Sequence, residues 1–153
     1  MTRFFAPAAL GGICLLCTAL LQAQSVEPPP QEELASAIQR TLEENMKALN
    51  EEALDAAMAT IHSRAPGFRA TRDQTRDLFE GFDLVYRMTE FAYVGTNGGY
   101  AVARVRQETR EKEPTGGFRP NAIEAMQILR EEGGIWKVWT TAILEIRQLE
   151  SEK

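Results

Sequence analysis

The apolar positions of this chain follow two different periods. From residue 32 to residue 49 they return every third or fourth position, as Leu34, Ile38, Leu42, Met46 and Leu49. That spacing lays one apolar stripe along a helix. Glu32 and Glu33 fall in its first turn, where the helix dipole favours negative charge. Asn50 then interrupts and reads as the N-cap of a second helix, from about Glu51 to Ile61, with Leu54, Ala57, Met58 and Ile61 inward. Ala65-Pro66-Gly67 closes the helical stretch. Thr71-Arg72-Asp73-Gln74 has the form of a capping box, so a third helix is expected from there to Gly81, presenting Leu78, Phe79 and Phe82 to a core.

From Leu84 onward the period is two. Leu84–Val94 alternates and is rich in aromatic and branched residues. Thr96-Asn97-Gly98-Gly99 is a hairpin turn, because Asn-Gly tolerates positive φ. Tyr100–Glu111 follows as a strand, with Ala101, Ala103 and Val105 on one face and Tyr100, Val102, Arg104 and Arg106 on the other. Lys112–Pro120 is a loop punctuated by proline and glycine. Asn121–Arg130 and Ile135–Ile146 are two further strands around Glu131-Glu132-Gly133-Gly134, and the tail from Arg147 is polar. Three helices followed by a four-stranded meander give the fold class α+β with an antiparallel sheet.

The first residues follow neither period. Arg3 is followed by the uncharged run Ala8–Leu21, and Ala23-Gln24-Ser25 places small residues where a signal peptidase cuts. The run is shorter than the ~20 residues a membrane-spanning helix needs. Residues 1–25 are therefore expected to be a signal peptide, cleaved after Ser25 or after Ala23, with an uncleaved N-terminal anchor as the alternative. Ile13 before Cys14 and Leu16 before Cys17 do not suit a lipobox. Residues 26–31, with Pro28-Pro29-Pro30, form a spacer. The domain proper is expected at 32–149 and a polar tail at 150–153. The expected location is periplasmic or secreted, with no membrane attachment after cleavage.

Both cysteines, Cys14 and Cys17, lie in that leader. The exported domain would then have no disulfide, thiol nucleophile or thiolate metal site. The net charge is −5, and loss of Arg3 makes it −6. An acidic domain lacks the basic face that nucleic acid or anionic lipid requires.

Two stretches carry a family resemblance. Lys47-Ala48-Leu49-Asn50-Glu51-Glu52-Ala53-Leu54-Asp55-Ala56-Ala57-Met58 resembles the helix–kink–helix run of the nuclear transport factor 2-like superfamily, and Gly133-Gly134-Ile135-Trp136-Lys137-Val138 resembles its late strand. With the element order, the likeness spans about Glu32 to Leu149. It implies a cystatin-like cone roll, in which a curved antiparallel sheet wraps the helices. It also implies an interior that often serves as a pocket and an outer sheet face that often forms a homodimer. SnoaL-like and ketosteroid isomerase-like members of that superfamily include isomerases, cyclases and dehydratases. In such isomerases a tyrosine on the first helix holds the enolate oxygen; the matching position here is Asn45. Their aspartate base would fall within Ala65-Pro66-Gly67-Phe68-Arg69, which has no carboxylate. This departure counts against isomerase chemistry.

Four residues are candidates for a pocket: Asn45, His62, Tyr86 and Trp139. His62 is the one histidine and could serve as base or ligand, although it reads first as a helix-end residue bonding a free carbonyl. Tyr86 could reach a pocket or pack at its rim. Trp136 and Trp139 take opposite strand faces, Trp136 joining Val138 in the core and Trp139 suiting an interface or pocket wall. Arg104, Arg106 and Arg110 form a row read as solvated or dimer-facing, opposite Glu and Gln residues. No metal or cofactor is expected, nor a nucleic-acid partner. Three functions stay open: a non-catalytic domain binding a small hydrophobic ligand or another protein, a SnoaL-like enzyme acting on a small apolar substrate, and a dimeric assembly module.

Overall fold

The computed structural model describes residues 31–113 and 117–150. The expected signal peptide, both cysteines, nearly all of the proline spacer and the end of the polar tail lie outside them. The described elements are α1 (Gln31–Asn50), α2 (Leu54–Ala59), α3 (Phe68–Gly81), β1 (Leu84–Asn97), β2 (Tyr100–Glu111), β3 (Asn121–Glu132) and β4 (Ile135–Gln148). The four strands form one antiparallel meander in the order β1-β2-β3-β4. The fold is α+β, as the change of period implies. None of the described helices is long and apolar enough to cross a membrane.

The stripe on α1 does what its spacing requires. Leu34, Ile38 and Leu42 are buried against Ala101, Ala103 and Val105 of β2, Ala125 and Leu129 of β3, and Val138 of β4. Ala101 and Ala103 are fully buried, and their small side chains let the helix approach the middle of the sheet closely. Trp136 packs against this cluster beside Val138, on the face expected for it. The Thr41 hydroxyl donates to the Trp136 carbonyl at 2.8 Å and ties α1 to β4.

Two helix starts differ from the expectation. Asn50 does not cap α2; it is the last residue of α1. The Ala53 N–H bonds the Ala48 carbonyl and the Glu52 N–H bonds the Leu49 carbonyl, with Glu52 at φ 53°. This is a Schellman ending. It satisfies the last carbonyls of α1 and delays α2 to Leu54. The Asn50 amide is used elsewhere: it donates to the Tyr86 carbonyl at 2.9 Å and accepts the Tyr86 N–H at 2.7 Å. Thr71 likewise does not start α3. The helix begins one turn earlier, with Gly67 at the N-cap and the Thr71 N–H already bonding the Gly67 carbonyl. Leu78, Phe79 and Phe82 are only half-buried, and the buried residue of α3 is Thr75.

Both hairpins turn on Gly-Gly. Gly98 and Gly99 have φ 59° and 81°, and Gly133 and Gly134 have 64° and 82°. Positive φ at both central positions makes each a two-residue type I′ turn. Asn97 and Glu131-Glu132 therefore remain in strands, and all strands but β2 run further than the alternation alone indicated. Register shifts at Thr89 and Val94 in β1, and at Trp139 and Leu144 in β4, are β-bulges that bend the two edge strands.

The candidate cavity and its surroundings

Below the packed end of α1, the helices and the inner sheet face separate and leave a cavity of about 250 Å³. The lower turns of α1 supply Leu42, Asn45, Met46 and Leu49, and α2 with the strip after it supplies Ala57, Met58 and Ile61. Thr71 and Thr75 of α3 close one side. The sheet contributes inward residues of all four strands, among them Val105, Gln107, Ala125, Gln127, Thr141 and Ile143. Strand alternation explains this set: Gln107 follows Val105 on the inner face of β2, and Gln127 sits between Ala125 and Leu129 on that of β3.

The wall is mostly aliphatic, and every polar side chain on it is neutral. Several of these lack protein partners. Asn45 donates from Nδ2 to the Thr60 hydroxyl at 2.8 Å, while its Oδ1 accepts nothing among the described residues. Gln127 accepts the Thr141 hydroxyl at 2.8 Å through Oε1, leaving its Nε2 donors unused. The side chains of Thr71, Thr75 and Gln107 make no hydrogen bond among the described residues. None of these atoms is among the sealed, unpartnered ones, so they remain open to pair with whatever enters the cavity.

Of the four candidates, the cavity takes in only Asn45. His62 lies outside it, fully buried beside β4. Residues 60–62 run along the β4 edge: the Val138 N–H bonds the Thr60 carbonyl and the His62 N–H bonds the Val138 carbonyl, each at 2.9 Å. His62 Nδ1 accepts the Arg64 N–H at 3.1 Å. Nδ1 is also 3.6 Å from the Glu132 carboxylate, and the buried Nε2 has no partner. Glu132 accepts from the Ser63 hydroxyl and from Lys137 Nζ at 2.9 Å. The Ser63 hydroxyl first and the Lys137 ammonium second pull its pKa down to about 2. His62 thus anchors a structural seam rather than bonding a helix-end carbonyl.

Trp139 is the bulged residue of β4 and stands beside this seam, its ring edge-on to His62 at 4.9 Å and to Tyr100 at 6.1 Å. The Arg130 guanidinium lies 5.1 Å from the Trp139 ring and 5.5 Å from the Tyr100 ring. Tyr86 is buried outside the cavity wall with its hydroxyl unpartnered; burial, and then the charge of Glu52, raises its pKa. The segment Ala65–Arg69 does not reach the wall.

On the outer sheet face the arginine row is paired. Glu124 takes Arg104, through Nε at 2.6 Å and a second nitrogen, and Arg106 at 3.0 Å. Arg106 also reaches Glu90 at 2.5 Å. Hydrogen bonds from Arg104, then Arg106, hold the Glu124 carboxyl below its usual range. Sequence reasoning missed Gln107, Gln127, Thr71 and Thr75 as cavity residues. The available signal was a polar residue at an inward position of an otherwise apolar alternation.

A family model described as the C-terminal domain of the anti-sigma-I factor RsgI9 matches residues 40–149. No curated protein matches the chain. Solved structures share its fold. A ketosteroid isomerase-like protein from Erwinia carotovora atroseptica is 23% identical over 78% of this chain and 98% of its own, and superposes with a TM-score of 0.56. A nuclear transport factor 2-like protein of unknown function from Pseudomonas putida is 15% identical over 72% of this chain and 84% of its own, with a TM-score of 0.61. A protein of unknown function with a cystatin-like fold from Nostoc punctiforme is 15% identical over 75% of this chain and 91% of its own, with a TM-score of 0.59. The chain therefore has the nuclear transport factor 2-like fold.

Proposed function

This chain belongs to the family of the anti-sigma-I factor RsgI9 C-terminal domain, and on that premise we propose that it binds, without transforming, a small uncharged ligand in the cavity. The observation that carries this reading is the wall: aliphatic, with unpaired amides and hydroxyls and no ionisable side chain on it. A carboxylate or ammonium ligand would leave water without gaining a countercharge, a loss of several kcal/mol. A neutral ligand with an apolar body and one amide, hydroxyl or carbonyl group meets both parts of the wall. The volume, about 250 Å³, sits just under the ~300–1,000 Å³ usual for ligand sites and so favours a small molecule.

Proton-transfer catalysis needs a titratable group within hydrogen-bond reach of the reacting atom. Asn45, where the isomerase-like tyrosine would stand, cannot titrate, which supports binding over turnover. RsgI9 is by name a regulator, and a ligand-responsive domain suits such a protein. The N-terminal order of Arg3, the uncharged Ala8–Leu21 and Ala23-Gln24-Ser25 supports export, which would place the domain where it meets extracytoplasmic molecules.

The test is a thermal-shift and calorimetric series in which medium-chain alcohols and primary amides are compared with the matching carboxylic acids. Neutral members should raise the melting temperature, acids at neutral pH should not, and Gln127→Leu should weaken amide binding about tenfold, the worth of one lost hydrogen bond. Equal binding of the acids, or no response to any neutral member, would overturn the reading.

A further inference from the structure

The cavity is not closed on every side. Of the residues that line it, Thr141 and Ile143 alone are exposed, so it opens along the second half of β4, beyond the stretch that residues 60–62 cover. Ile146, the next inward residue of that strand, is as exposed as Ile143, each at 56%. Two isoleucines on the inner sheet face, at the rim of an apolar cavity, are thus left in water.

The wall held most weakly is α3. Thr71, Thr75 and Leu78 fall at helical spacing on one face of it, and the two threonines line the cavity. Where α1 buries Leu34, Ile38 and Leu42, α3 buries Thr75 alone, and Leu78 is half-buried. A threonine offers less apolar area to hold a helix down than leucine or isoleucine does. Among the described residues one side-chain bond joins α3 to another element, from Arg72 to Asp55 of α2 at 2.8 Å. The Asp55 side chain is 88% exposed and that of Arg72 38%, and a pair so open to water shifts an equilibrium by no more than about fivefold. The C-terminal end is firmer: the Phe82 ring packs edge-on against Phe118 at 5.6 Å, and Leu84 is buried. Just before this anchor stands Gly81, where an added methyl group would meet no atom within 4 Å.

We infer that α3 is a lid, pivoting at Gly81, held ajar by Arg72–Asp55, and closing over Ile143 and Ile146 when the cavity is filled. The inference rests on the reading of the cavity as a ligand site and adds how that site is shut. Closure removes the two isoleucines and Leu78 from water together. A ligand biases the lid because the closed form brings the Thr71 and Thr75 hydroxyls onto it, a contact the open form makes less well.

The experiment introduces one thiol by Ile146→Cys, in a chain carrying Cys14→Ser and Cys17→Ser, and follows its alkylation by iodoacetamide, with circular dichroism on every variant. Ile146 is not on the cavity wall, so a bound ligand does not itself shield it. Saturating hexanamide should slow the alkylation about fivefold or more, and should leave the thiol of Ala142→Cys, on the outer sheet face, unaffected. Without any ligand, Arg72→Met should slow the reaction at Ile146→Cys about two- to fivefold, because α3 released from α2 settles on the isoleucines. This ligand-free arm keeps the two readings apart. If hexanamide fails to bind but Arg72→Met slows the reaction, the ligand reading falls and the motion of α3 stands. Hexanamide that binds by calorimetry without slowing the alkylation overturns the lid. So does Arg72→Met if it leaves the rate unchanged or raises it.

Discussion

Glu132 accepts hydrogen bonds from Ser63 and Lys137 and faces the buried His62, so one carboxylate joins the β3–β4 hairpin to the strip that follows α2. Its pKa falls from an ordinary 4.5 to about 2. The sign follows from linkage. A carboxyl depressed in the folded state adds stability that is complete above its unfolded pKa and disappears as pH falls through the folded one. The contribution of Glu132 should therefore be full at neutral pH and vanish between about pH 4.5 and pH 2. Glu132→Gln should be less stable than wild type at neutral pH, and urea denaturation should show the difference shrinking steadily across that window. A constant difference down to pH 2 would mean that the charge is not what Ser63 and Lys137 hold.

At the scale of elements, local signals were read correctly wherever they had one structural use. The stripe from Leu34 to Leu42, the alternation of Ala101, Ala103 and Val105, and the glycine-rich turns each led to the observed element. Signals with two uses misled. Asn50 is a good cap residue, but its amide is worth more clamped on the Tyr86 backbone, and the backbone closes α1 by a Schellman ending instead. Thr71 satisfies a capping-box pattern yet lies a turn inside α3, because Gly67 already provides the start. The candidate site was legible only at Asn45. The cavity's other polar residues come from α3 and from three strands, and their convergence is a tertiary fact that no local period encodes. The seat of His62 is set by pairing with Val138, 76 positions on, and is equally hidden. The Schellman ending also contains a testable strain. Glu52 holds φ 53°, a left-handed conformation that costs a non-glycine residue about 1–2 kcal/mol. Glu52→Gly should stabilise the protein by about 1 kcal/mol in chemical denaturation, part of the gain being offset by the greater freedom of glycine in the unfolded chain. A loss of stability would show that the Glu52 side chain makes a contact outweighing the strain.

For the molecule as a whole, the central question is whether the space beneath α1 is a built cavity or slack packing, and one substitution decides it by sign. Ala125 is 2% exposed on the inner face of β3, pairs with Val105 and Ile143 across the sheet, and lines the cavity. In a close-packed core, enlarging such an alanine forces its neighbours off their rotamers and costs about 1–3 kcal/mol. Over a real void the same change gains contacts that the empty wall lacks, and cavity-filling changes commonly add about 0.5–2 kcal/mol. Ala125→Leu should therefore raise the unfolding free energy of the ligand-free protein while abolishing its response to neutral probes. Stability and binding would then move in opposite directions, as expected where a protein holds open a space that its own side chains could fill. If Ala125→Leu lowers both together, the wall is already tight and the interior has no room for a ligand. The fold would still need Ala101 and Ala103 at the helix crossing, but the case for binding inside it would be gone.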